Sequence, residues 1–179
     1  MSILHYTETG TGDTVILLHS GGMSGKEWSP QITALARHFR VIIPDQLGHG
    51  NTPMIAEKLT IGDIGREVIE LMDKLNIHQA HLVGSSMGGA VALWTTVHYP
   101  LRVNKLVLFR VGYRKDAHTH AGTRGMADPE YWRKVGLHGW LSDIHIPQGG
   151  PEAWKTVIVR VSEALDPATS EHAHDLEVL

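Results

Sequence analysis

Ser86 is the residue in this chain best placed to attack a substrate. It lies in Gly84-Ser85-Ser86-Met87-Gly88-Gly89, between an apolar run, Ala80-His81-Leu82-Val83, and a helix-forming run from Ala90 to His98. That order describes a strand turning sharply into a helix, and G-x-S-x-G suits such a turn. The glycines let the backbone turn and approach its neighbours closely. The turn lifts the Ser86 hydroxyl above the sheet edge, beside the positive end of the helix. A serine hydroxyl is a weak nucleophile until an adjacent base takes its proton.

The chain offers 13 histidines as candidate bases. His118, His120, His138, His145, His172 and His174 all lie after residue 112. A base must stand within hydrogen-bond reach of Ser86 and be oriented by a third group, so these are expected to be solvated histidines. His118-x-His120 and His172-x-His174 lack the i, i+4 spacing that puts two ligands on one helix face, and no metal is expected. Gly84 to Gly89 lacks the Lys-Ser/Thr ending and the G-x-G-x-x-G spacing of phosphate loops. There are no cysteines, which excludes thiolate catalysis, Cys-based zinc sites and disulfides. Of the tryptophans, Trp94 is expected in the core. Trp132 and Trp140 are the candidates for lining an apolar pocket, although packing within their own region fits equally well.

These residues need a frame. Ile3 to Thr7 reads as a short first strand. Val15-Ile16-Leu17-Leu18 and Val41-Ile42-Ile43 are unbroken apolar runs, as expected for strands buried on both faces. Trp28 to Phe39 has helical spacing at Ile32, Leu35, Ala36 and Phe39. Thr60-x-x-Asp63 reads as a capping box. The stripe Ile61, Ile64, Val68, Leu71, Leu75 continues it as a helix to about Asn76. Ala80 to Ser85 is the next strand, Met87 to Tyr99 the next helix, and Val103 to Val111 a further strand. Alternating strands and helices imply right-handed crossovers and a mostly parallel sheet with helices on both faces. Residues 113–127 are polar and Gly-rich and read as a loop. Pro129 to Val135, Glu152 to Leu165 and Ser170 to Leu179 read as helices. The expected division is a sheet domain over 1–112 and a helical region over 113–179.

Three segments in register resemble the α/β-hydrolase superfamily, in its esterase, haloperoxidase and C–C hydrolase branch. They are Leu17-Leu18-His19-Ser20-Gly21-Gly22, Asp45-Gln46-Leu47-Gly48-His49-Gly50-Asn51-Thr52 and Gly84 to Gly89. The resemblance covers 1–112 closely, and the helical remainder is similar to the family's variable cap. It implies that Ser86 is the nucleophile. The backbone N–H of Met87 matches one oxyanion donor, and the loop after His19 the other, with Gly21 the first choice and Gly22 the alternative. Asp45 and His49 are expected to hold their loop by hydrogen bonds. Ser20 stands where the family usually has Gly, and Thr52 where it often has Ser.

The resemblance also implies an acid and then a His further along the chain. The strands that should carry them are not apparent in these 179 residues; Asp116 is the one candidate for an early acid. Two functions stay open. One is a serine hydrolase acting by acyl transfer on a small or medium ester or related carbonyl compound. The other is a non-catalytic binding or interaction protein, or an inactive fragment. No cofactor is expected. A net charge of −3 gives no pointer to nucleic acid or an anionic membrane. No apolar run approaches the roughly 20 residues of a membrane span, and the first 15 residues do not read as a signal peptide. A cytoplasmic location is the expectation. The apolar strand 103–111 expects neighbours on both edges. If left open, it would pair with a copy of itself or a complementing chain.

Overall fold

The structure, a computed structural model, describes residues 2–111 and 117–166, with the side chains of 117–120 excepted. The sheet has five strands in the order β1-β3-β2-β4-β5. They are β1 (Tyr6–Thr9), β2 (Thr14–Leu18), β3 (Arg40–Pro44), β4 (Ala80–Ser85) and β5 (Val103–Phe109). β1 runs antiparallel to β3, and every other pairing is parallel. The first strand forms at Tyr6–Thr9 rather than at 3–7, because its register sets Tyr6 opposite Pro44 and Thr9 opposite Val41.

Side chains along a strand alternate between faces, and the core divides accordingly. Val15, Leu17, Val41 and Ile43 pack on one face against Ile32, Leu35 and Phe39, which belong to or follow helix α1 (Ser29–Leu35). Ile16, Leu18, Ile42 and Leu82 pack on the other face. They meet α2 (Ile61–Lys74) and α3 (Met87–His98). Thr60 caps α2: its Oγ1 accepts from the Asp63 N–H at 3.0 Å and donates to the Asp63 carboxylate at 2.6 Å. Trp94 is 3% exposed and lies in this core. A Cβ on Gly65 would overlap its ring, so α2 and α3 touch there through glycine.

Four more helices follow: α4 (Ala117–Gly125), α5 (Pro129–Lys134), α6 (His138–His145) and α7 (Ala153–Ala164). Helix α4 corrects the loop expected over 113–127, and α6 was not anticipated. The helix expected over 170–179 lies outside the described residues. Trp132, Leu141, Ile144, Trp154 and Ile158 form a separate apolar cluster, against which Met23 and Trp140 pack. Val157, Val161 and Ala164 of α7 instead join the cluster of the sheet's second face. Packing is therefore continuous from the sheet into the last helix.

Among the described residues β5 is an edge strand, and Val107, Leu108 and Phe109 are 53%, 38% and 57% exposed. None of the described helices is long and apolar enough to cross a membrane.

Candidate active site at the strand ends

Ser86 follows β4 directly and has φ 52° and ψ −116°. Few residues other than glycine take positive φ, and such strain persists only where the surroundings enforce it. Here they do. The Ser86 N–H donates to the Phe109 carbonyl at 2.9 Å, and the Ser86 carbonyl accepts from the Ala90 N–H at 3.1 Å. A Cβ on Gly84 would overlap the Gly88 carbonyl, and one on Gly88 would overlap the Leu18 carbonyl. Both glycines are thus required for α3 to begin this close to β2 and β4. Met87 is the first residue of α3, so its N–H is one of the helix's unpaired donors.

The loop after β2 supplies further N–H groups, and hydrogen bonding distinguishes them. The Gly22 N–H donates to His49 Nε2 at 3.1 Å. The Gly21 N–H has no such partner among the described residues. Ser20 anchors the loop: its N–H and Oγ both donate to the Glu27 carboxylate, at 2.6 and 2.8 Å. Its Oγ also lies 2.9 Å from Ser85 Oγ.

The Asp45–Thr52 loop is held internally. Asp45 accepts from the Gly25 N–H at 2.8 Å and from the Asn51 N–H at 2.9 Å. Burial works against its charge, yet these two N–H groups and the Asn51 amide keep its pKa below the ordinary value. Gln148, just past α6, donates to the Gly50 and Thr52 carbonyls, both at 2.8 Å.

Behind this loop stand His19, His49 and His145, all fully buried. Ring centroids are 5.1 Å apart from His19 to His49 and 5.8 Å from His49 to His145. Each Nδ1 faces a backbone carbonyl, of Ser20, Leu47 and Leu141 respectively. A carbonyl only accepts, so each ring carries its proton on Nδ1. His19 Nε2 accepts from the Gln46 N–H at 2.9 Å, whereas His145 Nε2 is buried without a partner. Desolvation lowers the pKa of all three, that of His145 to about 4. His145 is therefore not the solvated histidine that was expected; it sits one turn after Leu141 on the buried side of α6.

A cavity of about 220 Å³ opens over Ser86. Its floor is Ser20, Gly21, Gly22 and Ser86, and Glu27 and Arg110 stand at the sides. Met126, Trp132, Ile158 and Val161 cover it from the helical region. Trp132 thus lines the cavity, whereas Trp140 packs against the helical cluster. No histidine is among its described lining residues. Asp116, His172 and His174 lie outside the described residues, as do the side chains of His118 and His120. His138 is exposed. Sequence reasoning missed Glu27, Arg110 and Gln148. The sequence does carry a signal for Arg110: it follows the end of β5 as Ser86 follows the end of β4.

Comparison with known proteins shows the family. The family model described as the alpha/beta hydrolase fold matches residues 13–135. A 2-hydroxy-6-oxo-6-phenylhexa-2,4-dienoate hydrolase of Comamonas testosteroni is 36% identical over 115 residues, covering 62% of this chain and 40% of the relative. A 3-oxoadipate enol-lactonase of Acinetobacter baylyi is 38% identical over 88 residues, covering 49% of this chain and 33% of the relative. Among solved structures, a hydrolase from Pseudomonas aeruginosa superposes with a TM-score of 0.66 at 27% identity, covering 90% of this chain and 65% of that one. The chain spans about two fifths of the length of the curated relatives it matches.

Proposed function

The chain belongs to the α/β-hydrolase fold family, and on that premise we propose that it carries the nucleophile and oxyanion site of a serine hydrolase. Its substrate is a small or medium ester or a related carbonyl compound, seated in the cavity over Ser86. Ser86 Oγ attacks the carbonyl carbon, and the oxygen takes up negative charge in the tetrahedral state. The Gly21 and Met87 N–H groups meet that charge, and losing one such donor typically costs ~10²–10³-fold in rate. Gly22 is set aside because its N–H is already given to His49. A His–acid pair takes the Ser86 proton and returns it to the leaving group; no such pair stands at Ser86 among the described residues.

The observation that carries this reading is the backbone of Ser86, held at φ 52° on the floor of the cavity next to the first N–H of α3. The similarity to a dienoate hydrolase and an enol-lactonase supports carbonyl chemistry. A second reading, a binding protein without turnover, is favoured by the lack of a histidine among the described lining residues. Fluorophosphonate labelling of the purified chain, read by intact mass, separates the two. Labelling that disappears in Ser86→Ala supports the hydrolase. A folded chain that does not label refutes activation of Ser86 by groups within these residues and favours the binding protein.

A further inference from the structure

Ser86 and Arg110 leave the sheet as a pair. β4 and β5 run parallel with Ser85 opposite Phe109, so the next residue on each strand is Ser86 and Arg110. Neighbouring strands lie about 4.8 Å apart. Both residues then turn through left-handed backbone, with φ 52° and 55°, and both line the same cavity.

Two charged side chains stand among the cavity's described walls, Glu27 and Arg110. Both carboxylate oxygens of Glu27 are engaged by Ser20. The Arg110 guanidinium forms no ion pair or hydrogen bond among the described residues. A guanidinium does not lose its proton in a protein, and it presents a planar fork of donors that fits a carboxylate. Arg110 is exposed to solvent and lines the same cavity as Met126 and Trp132. Its guanidinium therefore stays charged at no burial cost and is open to an anion carried by a ligand in the cavity.

We propose that Arg110 is the specificity residue of this site and anchors a carboxylate on the substrate while the reacting carbonyl lies over Ser86. The proposal rests on the reading of Ser86 as nucleophile. Glu27, the other charged residue of the lining, repels the same carboxylate, so the anion goes to Arg110 and the carbonyl to the Gly21 and Met87 N–H groups.

The test is equilibrium binding of 4-oxo-4-phenylbutanoate and of its methyl ester, by calorimetry, to the full chain and to Arg110→Met and Arg110→Lys. The wild type binds the acid about 10- to 100-fold more tightly than the ester, the range expected for a charge-assisted hydrogen bond. Arg110→Met removes the preference by weakening binding of the acid, and an unchanged thermal melt shows an intact fold. Arg110→Lys keeps part of it, as a point charge without the fork. Equal binding of the two compounds by the wild type, a preference that survives Arg110→Met, or no binding of either overturns the proposal. Fluorophosphonate labelling is scored separately. Labelling without an acid preference removes the role of Arg110 alone. An acid preference without labelling removes the hydrolase reading and leaves an anion-binding cavity.

Discussion

Replacing His145 by leucine should leave the protein as stable as before at pH 7.5 and make it clearly more stable at pH 5. His145 is fully buried, and desolvation, the largest cause, holds its pKa near 4 against an ordinary 6.5. The His19 ring adds to the lowering, whereas the Leu141 carbonyl and Asp45 oppose it. A histidine with a depressed folded pKa costs nothing above pH 6.5, where it is neutral in both states. As pH falls below 6.5 the unfolded chain takes up a proton that the native chain refuses, so stability is lost down to about pH 4. At 1.36 kcal/mol per pKa unit the loss is about 2 kcal/mol at pH 5 and about 3 kcal/mol at pH 4. A leucine at this position carries no such penalty. At pH 7.5 the variant loses the bond to the Leu141 carbonyl but also removes Nε2, a buried acceptor with no donor, and these effects are of similar size. Urea denaturation followed by tryptophan fluorescence at pH 7.5, 6 and 5 reads the difference. His19 and His49 remain and keep both proteins acid-sensitive, so the informative quantity is the gap between the curves. A gap that is the same at pH 5 and pH 7.5 would refute the buried neutral histidine.

Gly88→Ala places a methyl group on the Leu18 carbonyl, whereas the same change at Gly122, inside α4, meets nothing within 4 Å. The first should cost several kcal/mol or abolish folding, and the second should be neutral or stabilising by up to ~1 kcal/mol; thermal melts of both check the contrast. Glu27→Ala leaves the Ser20 N–H and hydroxyl without their carboxylate. It should destabilise by about 1–3 kcal/mol in urea, and an unchanged midpoint would show that the loop after β2 is not held from Glu27. Val107→Thr, on the exposed strand β5, should shift stability by no more than about 0.5 kcal/mol, read in urea.

What could be read from the sequence follows from which demands were local. The apolar runs at Val15–Leu18 and Val41–Ile43 had only one burial they could satisfy, and Gly84 is dictated by Gly88 four residues on, whereas Gly88 answers to Leu18 on β2. Helix α4 was hidden because Gly122 and Gly125 weaken its propensity and its residues are largely polar. Helix α6 was hidden because Gly139 interrupts it and few of its residues are apolar. It is held by what Leu141 and Ile144 touch, namely Trp132 and Trp154. His145 follows Leu141 by four residues, the spacing of one helix face, so its burial was open to inference once α6 was granted. The resemblance put Gly21 before Gly22, but the residues alone do not separate them, since both are small, adjacent and in the same loop. It turns on His49, 27 residues further along, which takes the Gly22 N–H. His49 in turn lies on a loop whose carbonyls at Gly50 and Thr52 are held by Gln148 from beyond α6. The turn at Ser86 is set by Gly84 and by its sheet neighbours, Leu18 on β2 and Phe109 on β5, whereas which N–H of the loop after β2 stays unpaired is set by His49. Disturbing the helical region should therefore alter the proposed oxyanion donors in the loop after β2 before it alters the turn at Ser86.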